Sequence, residues 1–310
     1  MILTEIRDQY LGNELSKPDY IDRMHEVHRL LFDYASFIRD TDIAKIEISD
    51  GKIVMTSREA GIRIICDRDD KRIVPVEILN FGHYEKNDSD MIYRLVEDGY
   101  GILDIGANIG WYSINLAKRF PGCRILAFEP IPKTYAYLRE NIGLNPVSGI
   151  ETFNHGFSDE AKELVFYYYP AGSGNASSAR LADAPGMEEI RCTVLPLDDF
   201  VASRDMKVDF IKCDVEGAEL LVFRGGRNTL ETHKPIVFTE MLRKWSAKFG
   251  YHPNEIIRLF SDIGYRCFTA RNGRLEEFFA MDDNTLETNF FFLHAGAHSD
   301  KISALSGAAA

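Results

Sequence analysis

The residues best placed to do chemistry begin at Asp104. There an acid closes a short apolar strand (Ile102, Leu103), the chain turns on Gly106, and a helix opens at Trp111 after Gly110. This arrangement leaves bare backbone N–H groups and a positive helix end above the strand tip. A second apolar strand, Cys123 to Phe128, ends in Glu129, about twenty residues further on, where a nucleotide-binding α/β fold keeps the carboxylate that grips ribose hydroxyls. The glycine pattern is Gly106-x-x-x-Gly110, and Asn108 stands where a dinucleotide fold needs a glycine to admit a pyrophosphate. A carboxylate at Asp104 would repel a pyrophosphate and attract an amino-acid ammonium. The pattern therefore suits S-adenosylmethionine better than NAD, with Asp104 facing the methionine end and Glu129 the ribose. Gly106, Ala107, Asn108, Gly110, Trp111, Tyr112 and Ser113, with Pro130 beside Glu129, complete the expected donor site.

Ligands of an open α/β sheet lie beyond the carboxyl ends of its strands. Those ends carry Asp104, Glu129, His155, Asp214, Glu216 and Glu240, a rim of carboxylates with one histidine. Asp214 and Glu216 alternate by two, so in extended backbone they point the same way. Methyl transfer from a sulfonium is an in-line displacement, which needs the acceptor aligned about 3 Å from the methyl carbon and water excluded. A hydroxyl acceptor must also lose a proton, and the candidate bases are Glu216, Asp214, Glu240 and His155, in that order. Clustered carboxylates also suit Mg²⁺, but the spacing does not favour it and no metal ligand is assigned. Ser158-Asp159 sits where such folds place a polar pair near the adenine, a helix cap being the alternative. Tyr84 and Glu85 precede the first strand of the fold and either close over the methionine end or form an ordinary turn. The small-residue loop Gly172 to Ser178 has the polarity of a segment that covers an acceptor.

Positioning these residues requires alternating strands and helices from Gly101 onward, the pattern of a parallel sheet covered on both faces. Seven strands are expected near 102–105, 124–129, 150–154, 208–214, 235–240, 265–270 and 288–293, with helices near 111–120, 132–142, 217–223, 227–232 and 253–263. A hairpin, Leu164 to Tyr169 with Ile190 to Leu195, is inserted around the small-residue loop. Before this domain, residues 1 to about 40 read as helical, broken at Pro18, with Leu30, Leu31, Tyr34 and Ile38 on one stripe. From Ile43 to Leu79 the period falls to two, and Asp50-Gly51 marks a hairpin, predicting a small antiparallel sheet. A helix is expected around Asp88 to Glu97. The stretch after His294 lacks periodicity and reads as a frayed tail. The expected division is thus a helical and β cap over 1–79, a catalytic domain over 80–295 and a disordered tail over 296–310.

The 310 residues are 45% hydrophobic and 27% charged, as in ordinary globular proteins, and the formal net charge of −12 argues against a nucleic-acid partner. Five scattered cysteines suit reduced core thiols and a cytoplasmic protein rather than a disulfide frame. Glu5, Arg7 and Asp8 interrupt any signal-peptide pattern, and no apolar stretch reaches the ~20 residues of a membrane span.

With these positions in view, the chain resembles the FkbM family of S-adenosylmethionine-dependent methyltransferases. The resemblance is carried by Tyr84-Glu85, Leu103 to Gly110, Phe128-Glu129-Pro130, Ser158-Asp159, Leu197-Asp198-Asp199-Phe200, Lys212-Cys213-Asp214-Val215-Glu216-Gly217-Ala218-Glu219 and the strand ending at Glu240. It covers about residues 80 to 295. Cys213 departs from the aliphatic residue more usual there, which touches packing only. The resemblance implies a class I, Rossmann-like seven-stranded α/β fold, S-adenosylmethionine as donor, and O-methylation of a hydroxyl on a saccharide or polyketide-like acceptor. It places Asp214, Glu216 and Glu240 near that acceptor. A peptide, carboxylate or amine acceptor and a non-catalytic donor-binding module are the alternatives, and the chain is expected to be a monomer or homodimer.

Overall fold

The computed structural model describes residues 2–180 and 186–306. Two antiparallel helices, α1 (Ile2–Leu11) and α2 (Lys17–Phe37), come first, with Ser16 capping α2 and Tyr10 stacked on Tyr20. Then come three antiparallel strands, β1 (Ile43–Ser49), β2 (Lys52–Ser57) and β3 (Arg63–Cys66). Asp50 and Gly51, both at positive φ, form the two-residue turn joining β1 to β2. Helices α3 (Val74–Phe81) and α4 (Lys86–Leu95) lead to the main sheet.

The rest alternates as β4 (Gly101–Ile105), α5 (Trp111–Arg119), β5 (Arg124–Phe128), α6 (Pro132–Leu144) and β6 (Ile150–Phe153). An insert follows, with β7 (Gly156–Phe157), β8 (Lys162–Tyr168) and β9 (Glu188–Leu195). The chain then runs through α7 (Leu197–Ala202), β10 (Phe210–Cys213), α8 (Glu219–Gly225), α9 (Arg227–His233), β11 (Ile236–Glu240) and α10 (Arg243–Ser246). Last come α11 (Asn254–Asp262), β12 (Tyr265–Arg271), β13 (Arg274–Phe278), β14 (Asn289–His294) and α12 (Ser299–Ser306).

The main sheet has the order β13-β12-β14-β11-β10-β4-β5-β6. It is parallel from β11 to β6, and antiparallel where β14, β12 and β13 join. This is a Rossmann-like α/β sheet in which β10 lies between β4 and β11, so Asp214 and Glu216 after β10 emerge beside Glu240 at the end of β11. Successive residues of β4 serve opposite faces. Ile102 packs with Met91, Ile92 and Leu95 of α4 and Leu116 of α5, whereas Leu103 and Ile105 pack with Leu220, Phe223 and Phe260 of the other helices. Phe290, Phe291 and Phe292 of β14 are all fully buried, as a strand covered on both faces requires.

Four expectations need correction. The sheet has eight strands, not seven: β13 is added by a hairpin through Asn272-Gly273, both at positive φ, which is a two-residue turn signal readable in the sequence. The antiparallel reading of 43–79 stops at Cys66. Val74-Pro75-Val76 opens a helix instead, because proline preorganises a first turn and Gly82 at φ 87 closes it. The helix set at Asp88 to Glu97 begins two residues earlier. The disordered tail contains α12, whose Ile302 and Leu305 are buried against the α4 side of the sheet; residues 307–310 lie outside the described ones. On the expected apolar stripe Leu30, Leu31 and Tyr34 of α2 are exposed, while Ile38, just past the helix, packs against the cluster of Ile43, Met55, Ile78 and Leu79.

Candidate functional site

A cavity of about 660 Å³ opens beyond the carboxyl ends of β4, β5, β10 and β11. The turn at its floor depends on glycine: a Cβ on Gly106 would stand 1.9 Å from the Asp214 carbonyl oxygen, and its φ is 73°. At Gly110 (φ 91°) a Cβ would press on Leu138 at 2.7 Å. Asn108 also adopts the left-handed region, at φ 48°. Its backbone N–H donates to Glu129 Oε2 at 3.0 Å, while Ile131 N–H donates to Oε1 at 2.9 Å. Burial pushes the Glu129 carboxyl up to about 7 against the pull of these two N–H groups. Ala107, Asn108, Trp111, Tyr112, Pro130 and Ser158 join Gly106 and Glu129 in the wall. The Asn108 Oδ1 and Trp111 Nε1 atoms are buried without a protein partner, polar groups that a bound ligand can satisfy.

Tyr84 and Glu85 also line the cavity, Tyr84 edge-on to Trp111. Glu85 is held in the left-handed region at φ 41°. It accepts from the Tyr112 hydroxyl and, at 3.3 Å, from Asn289 Nδ2, while burial raises its carboxyl above the usual range. Three non-glycine residues that line the cavity (Glu85, Asn108 and Glu216) are left-handed, which concentrates backbone strain at one place, as functional sites do.

At the rim, one carboxylate oxygen each from Asp214, Glu216 and Glu240 lie within 4.8 Å of one another. Burial, then Asp214, push both Glu216 and Glu240 well above the usual carboxylate range. Glu216 has φ 54°, and the following Gly217 (φ 100°) leaves no room for a Cβ beside Trp245. Glu219 shapes this turn: Oε1 accepts from the N–H groups of Val215 and Gly217, both at 3.1 Å, and burial pushes its carboxyl up to about 7. The Tyr251 hydroxyl donates to the Gly217 carbonyl at 2.8 Å. A hard cation favours all-oxygen groupings of this kind, but Lys212 Nζ, 3.5 Å from Asp214 Oδ2, supplies positive charge from the chain itself.

The insert covers the cavity from above. Gly174, Ala176 and Ser178 line it, and Ser177 Oγ donates to the Glu216 carbonyl at 2.9 Å. The side chains of Ser173 and Asn175, which belong to the same expected loop, lie outside the described residues.

Several expected site residues stand elsewhere. Asp104 does not line the cavity. It is fully buried beneath the turn, accepting from Ser113 Oγ at 2.5 Å and lying 3.7 Å from Lys212 Nζ. Ser113 is consumed by that bond, and Gly110 shapes the turn from behind. His155, expected as a base, turns into an aromatic cluster, with ring centroids 5.4 Å from both Phe128 and Phe157 and 5.7 Å from Phe200. Burial lowers its basicity, and it does not reach the cavity. Asp159 is exposed and accepts from Ser158 Oγ at 3.1 Å, leaving Ser158 alone on the wall. Sequence reasoning passed over Lys212, Glu219, Arg72 and His83. The signal for Lys212 was a charge inside an otherwise apolar strand; for Glu219 it was the sixth place of Asp-Val-Glu-Gly-Ala-Glu. Arg72 and His83 carried no signal, since they reach the cavity from outside the sheet.

A family model described as the methyltransferase FkbM domain matches residues 104–267. The chain is 31% identical over 142 residues to Methyltransferase 1 of Beauveria bassiana, covering 40% of this chain and 57% of that protein. It is 30% identical over 152 residues to the 31-O-demethyl-FK506 methyltransferase FkbM of Streptomyces tacrolimicus, covering 40% and 58%. Over 197 residues it is 25% identical to the hexuronic acid methyltransferase AglP of Haloferax volcanii, covering 62% and 76%. The chain thus spans little more than half the length of two of these three relatives.

Proposed function

Because this chain belongs to the FkbM methyltransferase family and is a methyltransferase, we propose that it moves a methyl group from S-adenosylmethionine to a hydroxyl of a saccharide or polyketide-like acceptor. The observation that carries this reading is Glu129: a buried carboxylate, gripped by two backbone N–H groups, beside a glycine turn at the strand tips. A carboxylate so held keeps lone pairs for the two ribose hydroxyls. Ser158 and Pro130 flank it on the adenine side, and Glu85 and Tyr112 stand at the methionine end. The residues fit the donor on the chemistry of their groups: acids meet its cationic end, and the orphaned Asn108 Oδ1 and Trp111 Nε1 offer an acceptor and a donor. When bound, this donor supplies an electrophilic methyl group on a sulfonium.

The chain's own residues do the remainder. The turn and the insert loop exclude water from the floor and roof. Asp214, Glu216 and Glu240 form a rim that holds the acceptor hydroxyl and receives its proton. Burial and the neighbouring Asp214 favour retention of a proton by Glu216 and Glu240, and a carboxylate whose acidity is weakened in this way is a stronger base toward an alcohol than an exposed one. Two relatives support the acceptor class, one named for a hexuronic acid and one for 31-O-demethyl-FK506.

Residues 1–79 are assigned to a cap and 80–295 to the catalytic domain. The five cysteines are all free, which supports a cytoplasmic setting. Among the described residues no helix is long and apolar enough to cross a membrane. The test is calorimetry with S-adenosylhomocysteine and NAD, followed by labelled donor with a panel of sugars, nucleotide-sugars and macrolides. Binding of S-adenosylhomocysteine and label transfer to a hydroxyl are expected; binding of NAD alone overturns the reading.

A further inference from the structure

We propose that Lys212 is the positioning residue of this site: its ammonium ties the glycine turn to Asp214 and so fixes where that carboxylate stands relative to the donor. The proposal rests on the methyltransferase reading above, and it concerns a residue that contributes no group to the reacting atoms.

Lys212 is only 4% exposed, although it sits at the cavity wall. Lysine is almost never buried so deeply without partners. Its ammonium makes one hydrogen bond and two ion-pair contacts. Nζ donates to the Gly106 carbonyl at 2.7 Å and lies 3.5 Å from Asp214 Oδ2 and 3.7 Å from Asp104 Oδ1. The Tyr112 ring lies alongside, 5.8 Å from the ammonium. The three oxygens belong to three separate pieces of chain: the body of β4, the turn that follows it, and the tip of β10.

Sheet register explains why the contacts converge. Lys212 is paired in register with Asp104 on the neighbouring strand, so their side chains leave the sheet on the same face. Asp104 is in turn held by Ser113 of α5, which makes it a fixed anchor. Asp214 has no such second hold, since its Oδ1 is buried without a hydrogen-bond partner. The Lys212 ammonium is therefore the contact that orients it. Asp104 and Asp214 pair with this buried cation, while Glu216 and Glu240 crowd Asp214, so its removal leaves Asp214 repelled by those two acids without its cationic partner. Arginine does not replace it, because a planar fork cannot reach three oxygens set in different directions.

Two variants test the assignment. Lys212→Met keeps the length and removes the charge; Lys212→Ala opens a slot into the cavity. Each is crystallised with S-adenosylhomocysteine, its affinity for that compound is measured by calorimetry, and turnover is followed with the acceptor found for the wild type. Expected are an affinity within about threefold of wild type, an Asp214 carboxylate swung away from the Gly106 turn, and kcat lower by about 100-fold. Ethylammonium should restore kcat of Lys212→Ala by about tenfold, and ethanol should not. An unmoved Asp214 in Lys212→Met overturns the proposal. So does an affinity loss beyond about tenfold with Asp214 in place, which makes Lys212 a ligand of the donor's carboxylate instead. Lys212→Met decides the matter if Lys212→Ala does not fold. A wild type that methylates nothing defeats the functional reading alone, while the crystals still decide the position of Asp214.

Discussion

Asn108 N–H and Glu129 Oε2, 3.0 Å apart, join the turn after β4 to the tip of β5. Asn108 reaches this carboxylate only because its own backbone is left-handed, and Glu129 is oriented only because Ile131 N–H holds its other oxygen at 2.9 Å. The two halves of the expected donor pocket are thus one hydrogen-bonded unit, and a change at either residue is felt at both.

The pH response of that unit has a defined sign. Burial places the folded-state Glu129 carboxyl at about 7, against 4.5 for the free group. The folded chain therefore binds a proton that the unfolded chain has released between these values. Its contribution to stability is complete below pH 4.5 and is lost as the pH rises through about 7. Glu129→Gln removes this loss, so the variant should gain on wild type between pH 5 and 8, by up to about 3 kcal/mol. Denaturant titrations across that range check it; a constant difference rejects it. Wild-type affinity for S-adenosylhomocysteine should rise over the same window, since the ionised carboxylate is the better acceptor for ribose hydroxyls.

Glu216→Gln should lower kcat by about 100-fold or more and leave affinity for S-adenosylhomocysteine intact. Calorimetry beside a labelled-donor assay separates the two effects. Unchanged turnover removes Glu216 from the candidate bases and moves Asp214 to the front. Incubation with EDTA should leave wild-type activity intact, as the chain's own Lys212 serves as countercharge.

Gly106→Ala should cost about 3 kcal/mol or more, because the new methyl would meet the Asp214 carbonyl at 1.9 Å on a backbone at positive φ. Gly143→Ala is the control. Nothing lies within 4 Å of a Cβ there, the residue is inside α6, and the helix should gain about 0.5–1 kcal/mol. Thermal melts moving in the same direction for both would contradict this account.

His155→Ala should lower stability by about 1–3 kcal/mol through loss of aromatic packing, with kcat per folded molecule within about twofold of wild type. A fall in kcat beyond about tenfold with unchanged folding would return His155 to the list of bases.

Leu305→Ala should cost about 2–3 kcal/mol, since Leu305 is 7% exposed and packs within the cluster that includes α4. A variant as stable as wild type would show that α12 does not hold the sheet.

The donor half of this protein was written in local sequence. An acid, a glycine turn and a helix start within ten residues dictate a strand–turn–helix, and Asp50-Gly51 dictates a hairpin, because such geometry depends on neighbours along the chain. Asn272-Gly273 carried the same kind of signal and specified the eighth strand. Which rim acids share the cavity was settled only by the fold. Spacing along the chain puts Asp214 beside Glu216 but does not encode that β10 pairs with β11, the order that brings Glu240 to them. Strand order also sets Lys212 beside Asp104, which draws Asp104 beneath the floor, while packing with Phe128 and Phe157 carries His155 away. Burial and partner geometry are long-range properties, and they decide which charged groups at strand tips face a ligand and which only hold the others in place.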